Sequence, residues 1–333
     1  MQAPDLKKAI LENLRIFQTG DLLDNAKAIL NTLGYNSEKT VELSPNTPEN
    51  FIDTFAQASS LNAEKALLKR WRSVDLIFQL TADELQPYHK TFKTNVFDPK
   101  EHQSYLFLAI ELEDETYSRT KLVTITREVN KLFAMPVMVF FKSGGKLTVS
   151  IINRRPNKRE TSKDVLEKVT LIKDISLEKP HRAHIEILYD LALPQLLQKH
   201  DISNFLDLHE AWQKTLDISE LNKRFYREVA DWYFWAMRQV TFPDDAEKDA
   251  ETRNATSLIR LITRLIFVWF LKEKGLVPAR LFDKPEIDAL LNKTDKTGSA
   301  YYKAILQNLF FATLNTEMNR DKSGSRRFVN GQY

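Results

Sequence analysis

Residues 104–155 constrain the fold of this chain more than any other stretch. They read SYLFLAIELE, then DETYSRTKLVTITREVNKLFAM, then PVMVFFKSGGKLTVSIINRR. The first piece is a short apolar run that ends in Glu111 and Glu113, as a buried strand would. In the second, Leu122, Ile125, Val129, Leu132 and Phe133 recur at three and four residues, the spacing of a helix. The third is two β-rich runs joined by Ser143-Gly144-Gly145-Lys146, a hairpin signal. The order strand, helix, strand, strand requires a sheet with helices on its faces.

The flanking sequence supplies that cover. Leu6, Ile10, Leu14 and Phe17 follow helical spacing, Thr19-Gly20-Asp21 interrupts it, and residues 22–33 resume it. Residues 49–71 read as a helix ending near Trp71, and residues 74–80 as a strand. Thr81-Ala82-Asp83-Glu84 resembles a capping box that starts a short helix. Residues 86–103 are polar and irregular, and residues 165–175 suit a further strand or a short helix. Beyond Pro180 the pattern is helical, over residues 184–200, 205–216, 221–240, 252–274 and 301–314. The expected fold class is therefore an α/β (α+β) N-terminal domain with leading helices over residues 1–180. An all-α helical connector follows over 181–320, and a polar tail over 321–333 is expected to be disordered.

The chain has 333 residues, room for two domains. It has no cysteine, which excludes disulfides, thiol catalysis and cysteine-ligated metals. The N-terminus, MQAPDLKKAILENLR, lacks the apolar core of a signal peptide. The most apolar segment, LIRLITRLIFVWFL, spans only 14 residues and carries Arg260 and Arg264, too short and too charged for a membrane span. A cytoplasmic location without membrane contact is the expectation. Net charge is only +3, but residues 142–182 hold eleven Lys/Arg against five Asp/Glu, a local +6. Such a stretch suits an electrostatic footprint for nucleic acid. The GxxxxGK[ST], GxGxxG and GxSxG signatures are absent, which argues against P-loop, dinucleotide and nucleophile-elbow chemistry.

Carboxylates at the mouth of a strand near a basic cluster suit work on a phosphate polymer. The arrangement resembles the core of metal-dependent nucleases of the PD-(D/E)xK type. That core needs an Asp and a Glu from neighbouring strands to hold Mg²⁺, and a Lys two residues after the Glu to orient the attacking water. Asp75 or Asp83 supplies the first carboxylate, with Asp75 and Glu111 as the metal pair and Glu113 as a further catalytic acid. The third position is Glu113 rather than lysine, so Lys121, in the following helix, is the expected substitute. Arg154, Arg155, Lys158 and Arg159 form the expected DNA-phosphate contact. His181 and His184 lack further metal-ligand spacing and read as a cap or core pair. The aromatic residues 225–235 surround most of their helix, which predicts burial.

Two stretches carry a wider resemblance. LNKRFYREVADWYFWAMRQVTFP and RNATSLIRLITRLIFVWFLKEKGLVP resemble the helical region that precedes the catalytic domain in large type II (type IIG-like) restriction–modification proteins. These join an adenine-N6 DNA methyltransferase to a nuclease and a target-recognition domain. The block around SYLFLAIELE, and DVLEKVTLIKDI followed by PHRAHIEIL, are similar to their N-terminal region, so the resemblance covers about residues 70–320. It implies a site-specific DNA methyltransferase/endonuclease acting on double-stranded DNA. Mg²⁺ would serve the nuclease. S-adenosylmethionine would be used in a downstream domain, because neither the cofactor loop nor the (N/D)PP(Y/F) motif occurs here. The contrasting expectation is a non-catalytic protein-interaction module that orients a partner subunit.

Overall fold

The structure, a computed structural model, describes residues 3–55, 61–85, 104–156, 164–244, 247–291, 300–315, 318–320 and 326–328. The chain divides into two compact units, Met1–Lys223 and Arg224–Tyr333.

The first unit begins with helices α1 (Ala3–Ile16), α2 (Leu22–Thr32) and α3 (Pro48–Phe55). Strand β1 (Trp71–Thr81) runs into the short helix α4 (Ala82–Leu85). The expected central block then follows: β2 (Ser104–Leu112), α5 (Arg119–Asn130), β3 (Val137–Ser143) and β4 (Lys146–Pro156). Residues 165–175 resolve as strand: β5 (Asp164–Ser176) completes a mixed five-stranded sheet of order β1-β2-β3-β4-β5. Only β2 and β3 are parallel, with α5 as their crossover, and the other pairs are antiparallel.

Alternation along the strands sorts side chains to two faces. On one face, Leu106, Leu108 and Ile110 of β2 join Val137, Val139 and Phe141 of β3 under Leu122, Ile125 and Val129 of α5. On the other, Tyr105, Phe107 and Ala109 join Met138 and Phe140 beneath α1 and α2. Helices α6 (Arg182–Asp190), α7 (Leu193–Lys199) and α8 (Phe205–Thr215) enter this second core through Leu188, Leu193, Leu196, Leu208 and Trp212. The boundary expected at residue 180 is therefore displaced to Lys223, because the apolar faces of α6–α8 are buried against the sheet.

Two other local expectations change. The helix expected over 49–71 ends at Phe55, and Trp71 opens β1 instead. Leu67 has a left-handed backbone (φ 54°), which no helix interior accommodates, and the Trp71 indole donates to the Ala66 carbonyl (2.9 Å) in the α5-side core. The helix expected over 184–200 is two helices, with Pro194 in the first turn of α7.

Helix α9 (Ile218–Met237) crosses the unit boundary, and α10 (Ala250–Glu273) and α11 (Lys284–Leu290) follow. A small core gathers Val268 and Val277 with Leu306, Leu309 and Phe310 from a helical segment of π-type turns. Met318–Arg320 and Arg326–Phe328 pair antiparallel; the rest of the expected tail, 321–325 and 329–333, lies outside the described residues. Burial does not follow the aromatic pattern of α9: Tyr226, Phe234 and Trp235 are 69%, 63% and 58% exposed. Among the described residues, α10 is the one helix long and apolar enough to cross a membrane by length and composition, with Arg260 and Arg264 exposed on it.

Candidate functional site

The two strands that open the sheet each carry one acid in an otherwise apolar run. In β1 it is Asp75, within VDLIF, and in β2 it is Glu111, at the end of LFLAIEL. In the antiparallel ladder Asp75 faces Ala109, and Ser73 faces Glu111. By alternation both carboxylates lie on the α1/α2 face, diagonal to one another. Asp75 is buried, and Asn46 Nδ2 donates to both of its oxygens (3.1 and 3.2 Å). Burial pushes the Asp75 carboxyl above the usual aspartate range. The Asn46 hydrogen bond opposes that shift, and the negative charges of Asp21 and Glu111 add to it. Asp21 is there because it caps α2, accepting from the Leu23 and Asp24 amides (2.8 and 3.1 Å).

The lysine beside this pair is not Lys121. Lys121 is exposed in the first turn of α5, on the opposite face of the sheet, with its ammonium 5.9 Å from the Tyr117 ring. The lysine beside Glu111 is Lys142. It stands across the parallel ladder from Glu111, with Nζ 3.6 Å from Oε1. Lys142 follows the even-numbered Met138 and Phe140 onto the α1/α2 face. Arg72 completes the group, with Nη1 3.3 Å from the same Glu111 oxygen. Sequence reasoning missed Lys142, Asn46 and Arg72. The one available signal was a lone lysine closing the buried run VMVFFKS.

Glu113 lies just past the end of β2. Its amide donates to the Arg70 carbonyl (2.9 Å), and its carboxylate pairs with the Arg70 guanidinium (3.7 Å). Asp83, the alternative first carboxylate, is on α4 and is held by Lys39 and Thr81.

Of the predicted basic cluster, Arg154 is held away from the acids. Arg154 Nη1 donates to the carbonyls of Phe133 (2.7 Å), Met135 (2.7 Å) and Asn130 (3.3 Å). It thereby fastens the turn between α5 and β3. Asn130 pins the same turn by accepting from the Val137 amide (2.9 Å). Arg154 is thus beside the start of β3, whereas Lys142 is near its end, roughly 17 Å of strand away. Arg155 pairs through its backbone with Val165, while Lys158 and Arg159 lie outside the described residues. The common groove expected between acids and arginines is not formed by Arg154. His181 caps α6, its Nδ1 accepting from the Ala183 amide (3.2 Å), as its sequence position suggested.

Among the described residues no group of three or more His, Asp or Glu side chains converges as a metal site. Mg²⁺ keeps several waters and needs only one or two protein carboxylates. Asp75 and Glu111 are two carboxylates on one sheet face and would be the residues to hold such an ion. Compared with protein-family models, curated proteins and solved structures, the chain finds no match in any of the three.

Proposed function

We propose that the first unit is a metal-dependent phosphodiesterase module of the PD-(D/E)xK type, acting on DNA as the N-terminal part of a restriction–modification protein. The observation that carries this reading is the placement of Lys142 against Glu111 on the sheet face that also holds Asp75. The β1-β2-α5-β3 order provides the two neighbouring acidic strands that such a core needs. Lys142 supplies from the adjacent strand the ammonium that the Glu111-Leu112-Glu113 run lacks. Asp75 and Glu111 would hold Mg²⁺, which when bound polarises a phosphoryl oxygen and lowers the pKa of a coordinated water. Lys142 contributes a positive charge beside Glu111 for the attacking water or the developing phosphorane charge. Asn46 fixes the Asp75 carboxylate, and the raised pKa of that carboxyl fits a group placed to meet a cation.

Incubation of supercoiled plasmid with the chain and Mg²⁺ or Mn²⁺ tests the reading. Nicking that disappears in Glu111→Gln and in chelator supports it. Equal activity of wild type and Glu111→Gln removes this site from the chemistry.

A second reading rests on α9 and α10. Phe225, Tyr226, Trp232, Phe234 and Trp235 on α9, and Phe267 and Phe270 on α10, are all at least 44% exposed. Exposed apolar surface of this kind marks an interaction face, as expected of a helical connector to a methyltransferase domain or of a module that orients a partner subunit. Catalytic silence of the wild type together with tight capture of such a partner would favour it.

A further inference from the structure

The opposite edge of the sheet holds a feature that the nuclease reading does not use. Among the described residues strand β5 pairs with β4 alone, and it borders a cavity of about 290 Å³ within the first unit. Four cationic or titratable nitrogen side chains line it: Arg119, Lys168, Lys173 and His184. They come from three separate elements, α5, β5 and α6, on both faces of the sheet. Thr170 adds a hydroxyl, and Leu171, Ile172 and Ile187 make an apolar wall. Among the described residues, acids enter only at the margin. Asp174 pairs with Lys173, and Asp217 lines a smaller cavity of about 80 Å³ that shares Lys168. Among the described residues neither Arg119 nor Lys168 makes a close ion pair; Asp217 feels the Lys168 charge, but its carboxylate is held chiefly by Ser219.

Lysines on an edge strand discourage edge-to-edge pairing, and for Lys168 and Lys173 taken alone that explanation suffices. It does not account for Arg119 and His184, which reach the same concavity from helices on opposite faces. Convergence of a guanidinium, an ammonium and a hydroxyl around an apolar wall is the chemistry that recognises a phosphate carrying a compact body.

We propose that this cavity binds a phosphate ester of about mononucleotide size. Arg119 and Lys168 hold the phosphate, Thr170 donates to it, and the Leu171–Ile187 side takes the base or other apolar part. The volume is at the small end of ligand pockets, which excludes bulkier cofactors. The ester has two sources, a free nucleotide or the end of a nucleic-acid strand. The inference is independent of the Asp75–Glu111 site.

Calorimetric titration of the full chain with adenosine 5′-monophosphate, in low salt and with EDTA present, tests it without any contribution from metal at the acidic site. Arg119→Ala/Lys168→Ala is expected to weaken binding by about tenfold or more, the scale on which removing even one charge-assisted hydrogen bond acts. Arg70→Ala, which removes an exposed cation elsewhere, should leave it unchanged. Both cavity residues are exposed, so thermal melts of the double variant should match wild type and exclude misfolding. Tighter binding of the mononucleotide than of a 5′-phosphorylated trinucleotide assigns the free source, and the reverse order assigns the strand end. Absence of saturable binding by either probe, or equal weakening by the cavity and Arg70 variants, overturns the proposal.

Discussion

Lys142 faces Glu111 across the parallel β2–β3 ladder, with its Nζ 3.6 Å from the carboxylate oxygen. On the proposed reading, this pair assigns the cleavage lysine to Lys142 rather than Lys121. Lys142→Ala should lower the rate by about a hundredfold or more, the scale of a positioned acid–base or charge-stabilising group. Lys121→Ala should leave it within about twofold of wild type. Single-turnover cleavage of plasmid measures both, and the reverse ranking would return the assignment to α5.

Asp75 is a carboxylate that folding penalises. Burial raises its pKa, so between the ordinary aspartate value and the raised one the native state holds more proton than the unfolded chain. Stability therefore falls as pH rises through that window, and above it the ionised carboxylate carries the full penalty. Asp75→Asn keeps an acceptor for Asn46 and removes the charge. It should raise Tm at neutral pH and lose the advantage on acidification below about pH 4. Thermal melts across pH check both outcomes. A variant less stable than wild type at pH 7 would show that the buried charge is fully compensated.

Much of this arrangement could be read locally, and the failures share a cause. The run from β2 to β4 was legible because each signal lies inside its own segment: apolar alternation, helical spacing, and Gly144, whose backbone has φ 54° at the hairpin. Asp75 and Glu111 stood out as lone acids in apolar strands. Lys142 was hidden because its role depends on strand register, which pairs it with a residue more than thirty positions earlier. Arg154 looked like part of a basic patch because its carbonyl acceptors are distant in sequence. The aromatics of α9 were expected in a core because periodicity reports apolar character, not the presence of a neighbour.

Arg154 is a structural fastener, and its loss should register in stability rather than in DNA affinity. Its Nη1 supplies hydrogen bonds to three carbonyls of the turn before β3. Hydrogen bonds from charged donors contribute about 1.5–3 kcal/mol each in isolation, but these three share one nitrogen. Arg154→Ala should therefore destabilise by about 2–3 kcal/mol. Urea melts measure this, and filter binding at several salt concentrations measures affinity. Stability equal to wild type with weakened, less salt-dependent binding would instead make Arg154 a phosphate contact.

The extension of the first unit to Lys223 makes α8 part of the sheet's core. Trp212 is fully buried there and packs edge-on against Tyr105, with ring centroids 4.8 Å apart. Its indole donates to the Tyr35 hydroxyl (2.8 Å), which in turn donates to the Leu191 carbonyl (2.6 Å). These bonds link α8, the segment just after α2, and the end of α6. Trp212→Ala removes a large side chain and leaves the Tyr35 hydroxyl without its donor, so it should cost about 3–5 kcal/mol. Tyr35→Phe keeps the ring but strands the indole N–H and the carbonyl, and should cost about 1–3 kcal/mol. By the same reasoning a chain cut after residue 180 exposes the sheet face that α6–α8 cover and should fail to unfold cooperatively. A cut after Lys223 should retain a single sharp transition. Circular dichroism melts of the two truncations decide the matter, and a cooperative melt of residues 1–180 would place the boundary back at the position the sequence suggested.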